Sequence, residues 1–201
     1  MMTIRCNVIL IPGDELNAKA IQASKQFEQL GTIFTLENGA FYPHISVYML
    51  SLQIDDLVHA QALLAQVAAS TPNFDLTATN FFQQRGYFDA EYQKTEQLLR
   101  LQKEVVGALN PLRQGMLKNY QARLADAKGL ELENLHNYGW SAVGELFRPH
   151  LTLTRFTSEQ PSPEKLLPAV ADFSGRFPKL GLFEIGENGT CVRMLATFDF
   201  D

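Results

Sequence analysis

The amino-acid sequence predicts an α+β fold in which antiparallel sheets are covered by helices. Three observations carry that prediction. Strand-like and helix-like segments succeed one another along the whole chain. Tight turns that favour positive φ, Arg85-Gly86 and Asn188-Gly189, lie between neighbouring strand runs, as hairpins require. Finally, 201 residues with 46% hydrophobic and 19% charged side chains are enough to bury a core in one domain.

Taken in order, residues 4–11 read as a strand ended by Pro12-Gly13. Asp14 is placed to cap a helix over 15–30, which Gly31 ends. Residues 45–52 form a second strand, and Asp55 or Asp56 opens a helix running to 68. Pro72-Asn73 turns the chain into strands over 74–82 and 86–92. A helix over 95–109 stops at Asn110-Pro111. Residues 111–134 are polar and helix-prone, with a break at Gly129, and Tyr138-Gly139-Trp140 reads as a loop. Residues 151–156 are a strand, Ser162-Pro163-Glu164 starts a short helix, and 177–185 with 190–200 form a hairpin closed by residues 186–189.

The net charge of −5 and a pI of about 5.4 argue against gripping a long polyanion through chain-wide basic charge. A local cluster of donors still suffices for one phosphate. Cys6 and Cys191 lie near opposite ends and lack metal-ligand spacing. Neither a disulfide framework nor a structural zinc site is expected, although a single bridge between the two stays open. No secretory leader and no run of about 18 apolar residues is present, so the expected location is the cytoplasm, without a membrane partner.

One internal repeat carries chemistry. Tyr42-Pro43-His44-Ile45-Ser46-Val47-Tyr48 and Arg148-Pro149-His150-Leu151-Thr152-Leu153-Thr154 share the pattern Pro-His-aliphatic-Ser/Thr-aliphatic, with the histidines 106 residues apart. The other two histidines, His59 and His136, have neither the proline nor the hydroxyl residue. Side chains alternate along a strand, so His44, Ser46 and Tyr48 are expected on one face, and His150, Thr152 and Thr154 on another. Side by side, two such strands form a cleft with two imidazoles and two hydroxyls. Two imidazoles suit phosphodiester chemistry without a metal or cofactor. One takes a proton from the attacking oxygen, and the other gives one to the leaving oxygen. The hydroxyls of Ser46 and Thr152 are placed to bond nonbridging phosphate oxygens.

The duplicated motif resembles that of the 2H phosphoesterase superfamily, which includes 2'-5' RNA ligase-like and cyclic phosphodiesterase proteins. The resemblance implies two pseudo-symmetric lobes around a central cleft. It implies action on 2',3'-cyclic or 2'-5' phosphodiester bonds of RNA ends or nucleotides, with no cofactor. His44 and His150 would be the acid/base pair, and Ser46 and Thr152 the phosphate-binding hydroxyls. Residues 111–136 exceed what a minimal member needs and read as a helical insertion that shapes substrate access.

Further candidates for substrate contact are Tyr48 and Thr154 along the motif faces and Arg148, whose guanidinium suits a phosphate. Tyr42, Tyr138 and Trp140 could stack on a base. Arg85 is expected to face solvent, His59 is read as structural, and His136 is assigned no role. Alternatives from the same pocket are a nucleotide-binding protein without turnover, an RNA 2'-5' ligase, and a metal-dependent hydrolase, for which a ligand cluster is missing from the sequence. A monomer is expected.

Overall fold

Ten strands and five α-helices make up the described residues, mostly where the sequence pattern places them, with four instructive differences. The structure, a computed structural model, describes residues 2–158, 163–167 and 169–201, and at 164 and 165 the backbone only. The strands are β1 (Thr3–Ile11), β2 (Thr32–Thr35), β3 (Ile45–Gln53), β4 (Phe74–Leu76), β5 (Ala78–Gln84), β6 (Tyr87–Tyr92), β7 (His150–Phe156), β8 (Gly175–Phe177), β9 (Lys179–Ile185) and β10 (Cys191–Asp199). The helices are α1 (Asp14–Gln26), α2 (Leu57–Ala69), α3 (Glu96–Leu109), α4 (Lys118–Gln121) and α5 (Gly129–Tyr138).

Every pairing is antiparallel. The large sheet runs β10-β9-β1-β3-β7-β6-β5, and β2 adds to β7. A second sheet pairs β4 with β8. The large sheet has two halves joined by one residue pair, Ile45 with Leu151. Beyond it β3 diverges from β7, and β2 takes the vacated edge. α2 and α3 cover the first half, while α1 packs on β7 and β2 of the second. α3 is the clearest amphipathic element. Leu98, Leu101, Gln102, Val105, Val106 and Leu109 recur at helical spacing and are all buried, and the Thr95 hydroxyl caps the helix by accepting from Leu98 N at 3.2 Å.

Asp14 is the first residue of α1 rather than its cap. Gly13 takes the cap position, no side chain bonds there, and the carboxylates of Asp14 and Glu15 meet the helix's positive end instead. The strand expected over 74–82 is two strands in two sheets, because the chain changes partners at Thr77. The same break separates β8 from β9 at Pro178, which has no amide hydrogen for a ladder. β2 is only four residues long, too short for a periodic signal.

The segment expected as a helical insertion is helical in two pieces, α4 and most of α5, with turns between them and the expected break at Gly129. Gly115 and Gly129 adopt φ of 63° and 53°, where a right-handed helix cannot pass, so only α4 and α5 form. Gln114 N donates to Ser51 O at 2.8 Å and fastens this segment against β3. Ser162 lies outside the described residues; Pro163–Leu166 is a 3-10 turn. The last hairpin is as expected, with Asn188 and Gly189 at φ of 58° and 75°.

Candidate active site

In each motif the proline holds the preceding residue extended and turns its carbonyl back toward the histidine. His44 Nδ1 lies 2.7 Å from Tyr42 O, and His150 Nδ1 lies 2.7 Å from Arg148 O. A carbonyl only accepts, so its presence assigns the hydrogen to Nδ1 in both rings. Nε2 is then the atom each ring offers to a ligand. Both histidines line one cavity of about 1110 Å³, together with Ser46 and Thr152. Burial pulls the His44 imidazole down to about 4, the Tyr42 carbonyl opposes this, and neighbouring His150 pushes it down further. His44 is therefore neutral at pH 7.

Strict alternation fails just past each hydroxyl. β1 pairs Val8 with Tyr48 and Ile9 with Ser46, leaving Val47 as an extra residue. β6 pairs Phe88 with Thr154 and Asp89 with Thr152, leaving Leu153 extra. These β-bulges reverse the faces of everything that follows. Tyr48 and Thr154, expected in the cleft, are instead fully buried. The Tyr48 hydroxyl donates to Tyr138 O at 2.8 Å and lies 2.9 Å from Asn110 Oδ1, while Thr154 Oγ1 donates to Phe34 O at 2.7 Å. Met49 takes the place in the cavity wall that Tyr48 was expected to occupy. The first bulge has a dedicated support: buried Gln102 of α3 donates from Nε2 to Val47 O at 3.2 Å and to Ala142 O at 2.8 Å.

The two hydroxyls, which the motif treats alike, are held differently. Ser46 Oγ accepts from Nδ2 of fully buried Asn7 at 2.8 Å, so its own hydrogen stays available to the cavity. Thr152 Oγ1 donates to Asp89 Oδ1 at 2.7 Å, so it presents lone pairs instead. Asp89 is 2% exposed and its other oxygen pairs with Arg148 Nη2 at 2.6 Å; Arg148 Nη1 pairs with Glu91 at 2.5 Å. Arg148 also lies over the Phe82 ring, 4.9 Å from its centroid. It lines the cavity, but its charge is already engaged by two carboxylates.

Tyr42 lines the cavity with its ring edge-on to Phe183, centroids 4.9 Å apart. Tyr138 and Trp140 do not line it. Trp140 is buried behind the wall, where its Nε1 donates to the hydroxyl of cavity-lining Tyr120 at 2.8 Å. Asn7, Asp89, Arg5, Arg85 and Lys118 belong to the cleft or its immediate support without having been singled out for it. Asp89 and Glu91 left one trace in the sequence: two acids two apart on a strand whose other face is apolar. Arg85 is exposed as expected, and it also reaches the cavity wall. Cys6 and Cys191 are both buried free thiols. Among the described residues no group of three or more His, Cys, Asp or Glu is placed to share a metal ion, and no helix is long and apolar enough to cross a membrane.

Residues 51–185 match the family described as "Protein of unknown function (DUF1045)". No curated protein matches the chain in sequence. Solved structures do match in fold. LigT of E. coli, solved with phosphate, is 16% identical and aligns over 100% of this chain and 99% of its own with a TM-score of 0.61. TT0787 of Thermus thermophilus is 18% identical over 98% of both chains with a TM-score of 0.64. A protein described as a phosphoesterase is 15% identical over 99% of both chains with a TM-score of 0.57. The chain therefore belongs to the DUF1045 family and has the α+β fold of the LigT-like 2H phosphoesterases.

Proposed function

We propose that this chain is a phosphodiesterase that opens 2',3'-cyclic or 2'-5' phosphodiester bonds by two-histidine acid/base catalysis, without a metal. The observation that carries this reading is the matched pair of imidazoles. Each is fixed through Nδ1 to the carbonyl two residues back, and each stands with a hydroxyl in the wall of one cavity.

The asymmetry between the halves favours His44 as the base, because it is neutral at pH 7. Its Nε2 takes the proton of a water whose oxygen attacks phosphorus. The bond from phosphorus to the leaving oxygen breaks as His150, which enters this step with a hydrogen on Nε2 as well as on Nδ1, gives the Nε2 proton to that oxygen and is left as the neutral Nδ1–H ring. The products are a phosphomonoester and an alcohol, and proton exchange with solvent restores both rings. Ser46 donates to a nonbridging oxygen as negative charge builds there. Thr152 supplies an acceptor, which suits a hydroxyl of the substrate. The Arg148 guanidinium neutralises Asp89 close to the reacting phosphate. LigT of E. coli has been solved with 3'-AMP and with ATP, which supports a nucleotide as the ligand class here.

The test is hydrolysis of a 2',3'-cyclic mononucleotide in excess EDTA. Turnover should persist there and fall by about 10²–10⁴-fold in His44→Ala and in His150→Ala, the usual worth of one general acid or base. Full activity in either variant, or activity abolished by EDTA and restored by zinc or manganese, overturns the mechanism.

A further inference from the structure

Asn7 is fully buried on β1, beside Ser46 and behind the cavity wall. Its cross-strand partners are Met49 and Phe183, and it borders the apolar cluster of Ile9, Phe183 and Cys191. An amide in such surroundings is costly unless its polar atoms are bonded. Nδ2 commits both hydrogens, one to Ser46 Oγ at 2.8 Å and the other to Cys191 Sγ at 3.6 Å. Oδ1 is buried with no partner among the described residues. Burial raises the Cys191 thiol, so the sulfur stays protonated and is a weak acceptor. The strong bond of Nδ2 is therefore the one to Ser46. With the amide turned over, Oδ1 would take the serine hydrogen and Nδ2 would lack a strong acceptor. Buried N–H groups go without a partner more rarely than buried carbonyl oxygens do.

The other half of the molecule has no counterpart of this residue. Matching the halves through their motifs sets Ile9 against Asp89 and Asn7 against Tyr87, whose hydroxyl donates to Asn188 O at 3.3 Å. Asn7 thus leaves the core one unpartnered oxygen, which destabilises a fold, while its one strong bond goes to a residue of the cavity wall. His44 is held by other means. Its Nδ1 donates to Tyr42 O, and Tyr42 N donates to Cys191 O at 3.3 Å. The Asn7 side chain therefore reaches the site through the Ser46 hydroxyl and not through the imidazole.

We propose that Asn7 is a positioning residue: by filling a lone pair of Ser46 Oγ with an N–H, it fixes that hydroxyl as a donor toward the reacting phosphate. Asp89 does the reverse for Thr152, so two chemically similar hydroxyls are set to opposite roles by residues outside the repeated motif. The proposal rests on the phosphodiester reading of the histidine pair, and anion binding tests it without turnover. The experiment is a double-mutant cycle over Asn7→Leu and Ser46→Ala in the full chain. It is read by hydrolysis of a 2',3'-cyclic mononucleotide and by calorimetric titration with inorganic phosphate. Leucine keeps the branched outline of asparagine and removes its polar atoms; Asn7→Ala, which adds no bulk, repeats the cycle. Asn7→Leu should lower kcat about tenfold with KM changed less than about twofold, because the lost alignment matters most as charge develops on the phosphate. Phosphate affinity should weaken about threefold. In the Ser46→Ala background the same replacement should change neither quantity by more than about twofold, since the group it acts through is gone. Equal losses in both backgrounds make Asn7 a structural residue and overturn the proposal. So does an Asn7→Leu or Asn7→Ala protein with the kcat and phosphate affinity of the unaltered chain. An unaltered chain that turns nothing over, while phosphate binding follows the cycle, sustains the positioning role and overturns the catalytic reading instead.

Discussion

The two halves of the site share a backbone and differ in chemistry. Ile9 stands opposite Ser46 where Asp89 stands opposite Thr152, and Tyr42 precedes its histidine where Arg148 precedes the other. One half is consequently an apolar cluster of Ile9, Phe183 and Cys191 with Tyr42 and Ile11 against it. The other is an ion-pair network of Arg148 with Asp89 and Glu91. The shared part, a strand with a bulge after the hydroxyl, aims an imidazole. The divergent part sets what that imidazole and hydroxyl can do, by desolvating His44 on one side and holding the Thr152 hydrogen on the other.

The sharpest way to break this comparison is to remove the hydroxyls separately. Ser46→Ala should lower kcat about 10²-fold, since a donor aimed at developing charge is lost. Thr152→Val should lower it only about tenfold, because that hydrogen is already given to Asp89. Equal losses in the two variants would show that Thr152 changes partner when substrate binds. A second probe is pH. If neutral His44 is the base, kcat/KM should fall on the acid side with a midpoint near 4, where the ring takes up its proton. An acid limb centred near 6.5 assigns the base elsewhere.

The same ring makes stability depend on pH. The unfolded chain binds this proton from about 6.5 downward, whereas the folded chain binds it only near 4. The contribution is complete above about 6.5 and is lost as pH falls toward 4. His44→Gln should flatten denaturation midpoints across that window, and an unchanged pH dependence would contradict the shift. The smallest kinetic effect is expected from Gln102→Leu. It orphans the buried Val47 carbonyl and the half-buried Ala142 carbonyl and should destabilise by about 1–3 kcal/mol in urea unfolding, with a secondary loss of activity as the bulge relaxes.

Much of this was legible beforehand, for identifiable reasons. A duplicated Pro-His-x-Ser/Thr pattern is local, so it marks His44, Ser46, His150 and Thr152 regardless of tertiary contacts. Long elements with clear caps or turns, such as α3 and the final hairpin, are local too. What escaped depends on partners. A bulge is decided by the register of two strands, so the inward turn of Tyr48 and Thr154 had no signature in either segment. Gln102 reaches the first bulge from an element 55 residues away. Residues 111–134 have the composition of a helix, but glycines at left-handed φ and the anchor to Ser51 determine their path. Arg5 lines the cavity on a strand whose pairing with β3 sets it opposite Ser51, a register that no single segment encodes.

The position of β1 has one more consequence. It lies between β3 and β9, so a strand formed from residues 3–11 completes its hydrogen bonding only with residues 179–185. On a ribosome, this early strand keeps one bare edge until β9 has been made. Such an edge invites pairing with other nascent chains. Closing it across more than 160 residues also places folding at the slow end for a chain of this size. Synthesis rate and chaperone supply, rather than the strength of the finished core, should then govern how much folded protein is recovered.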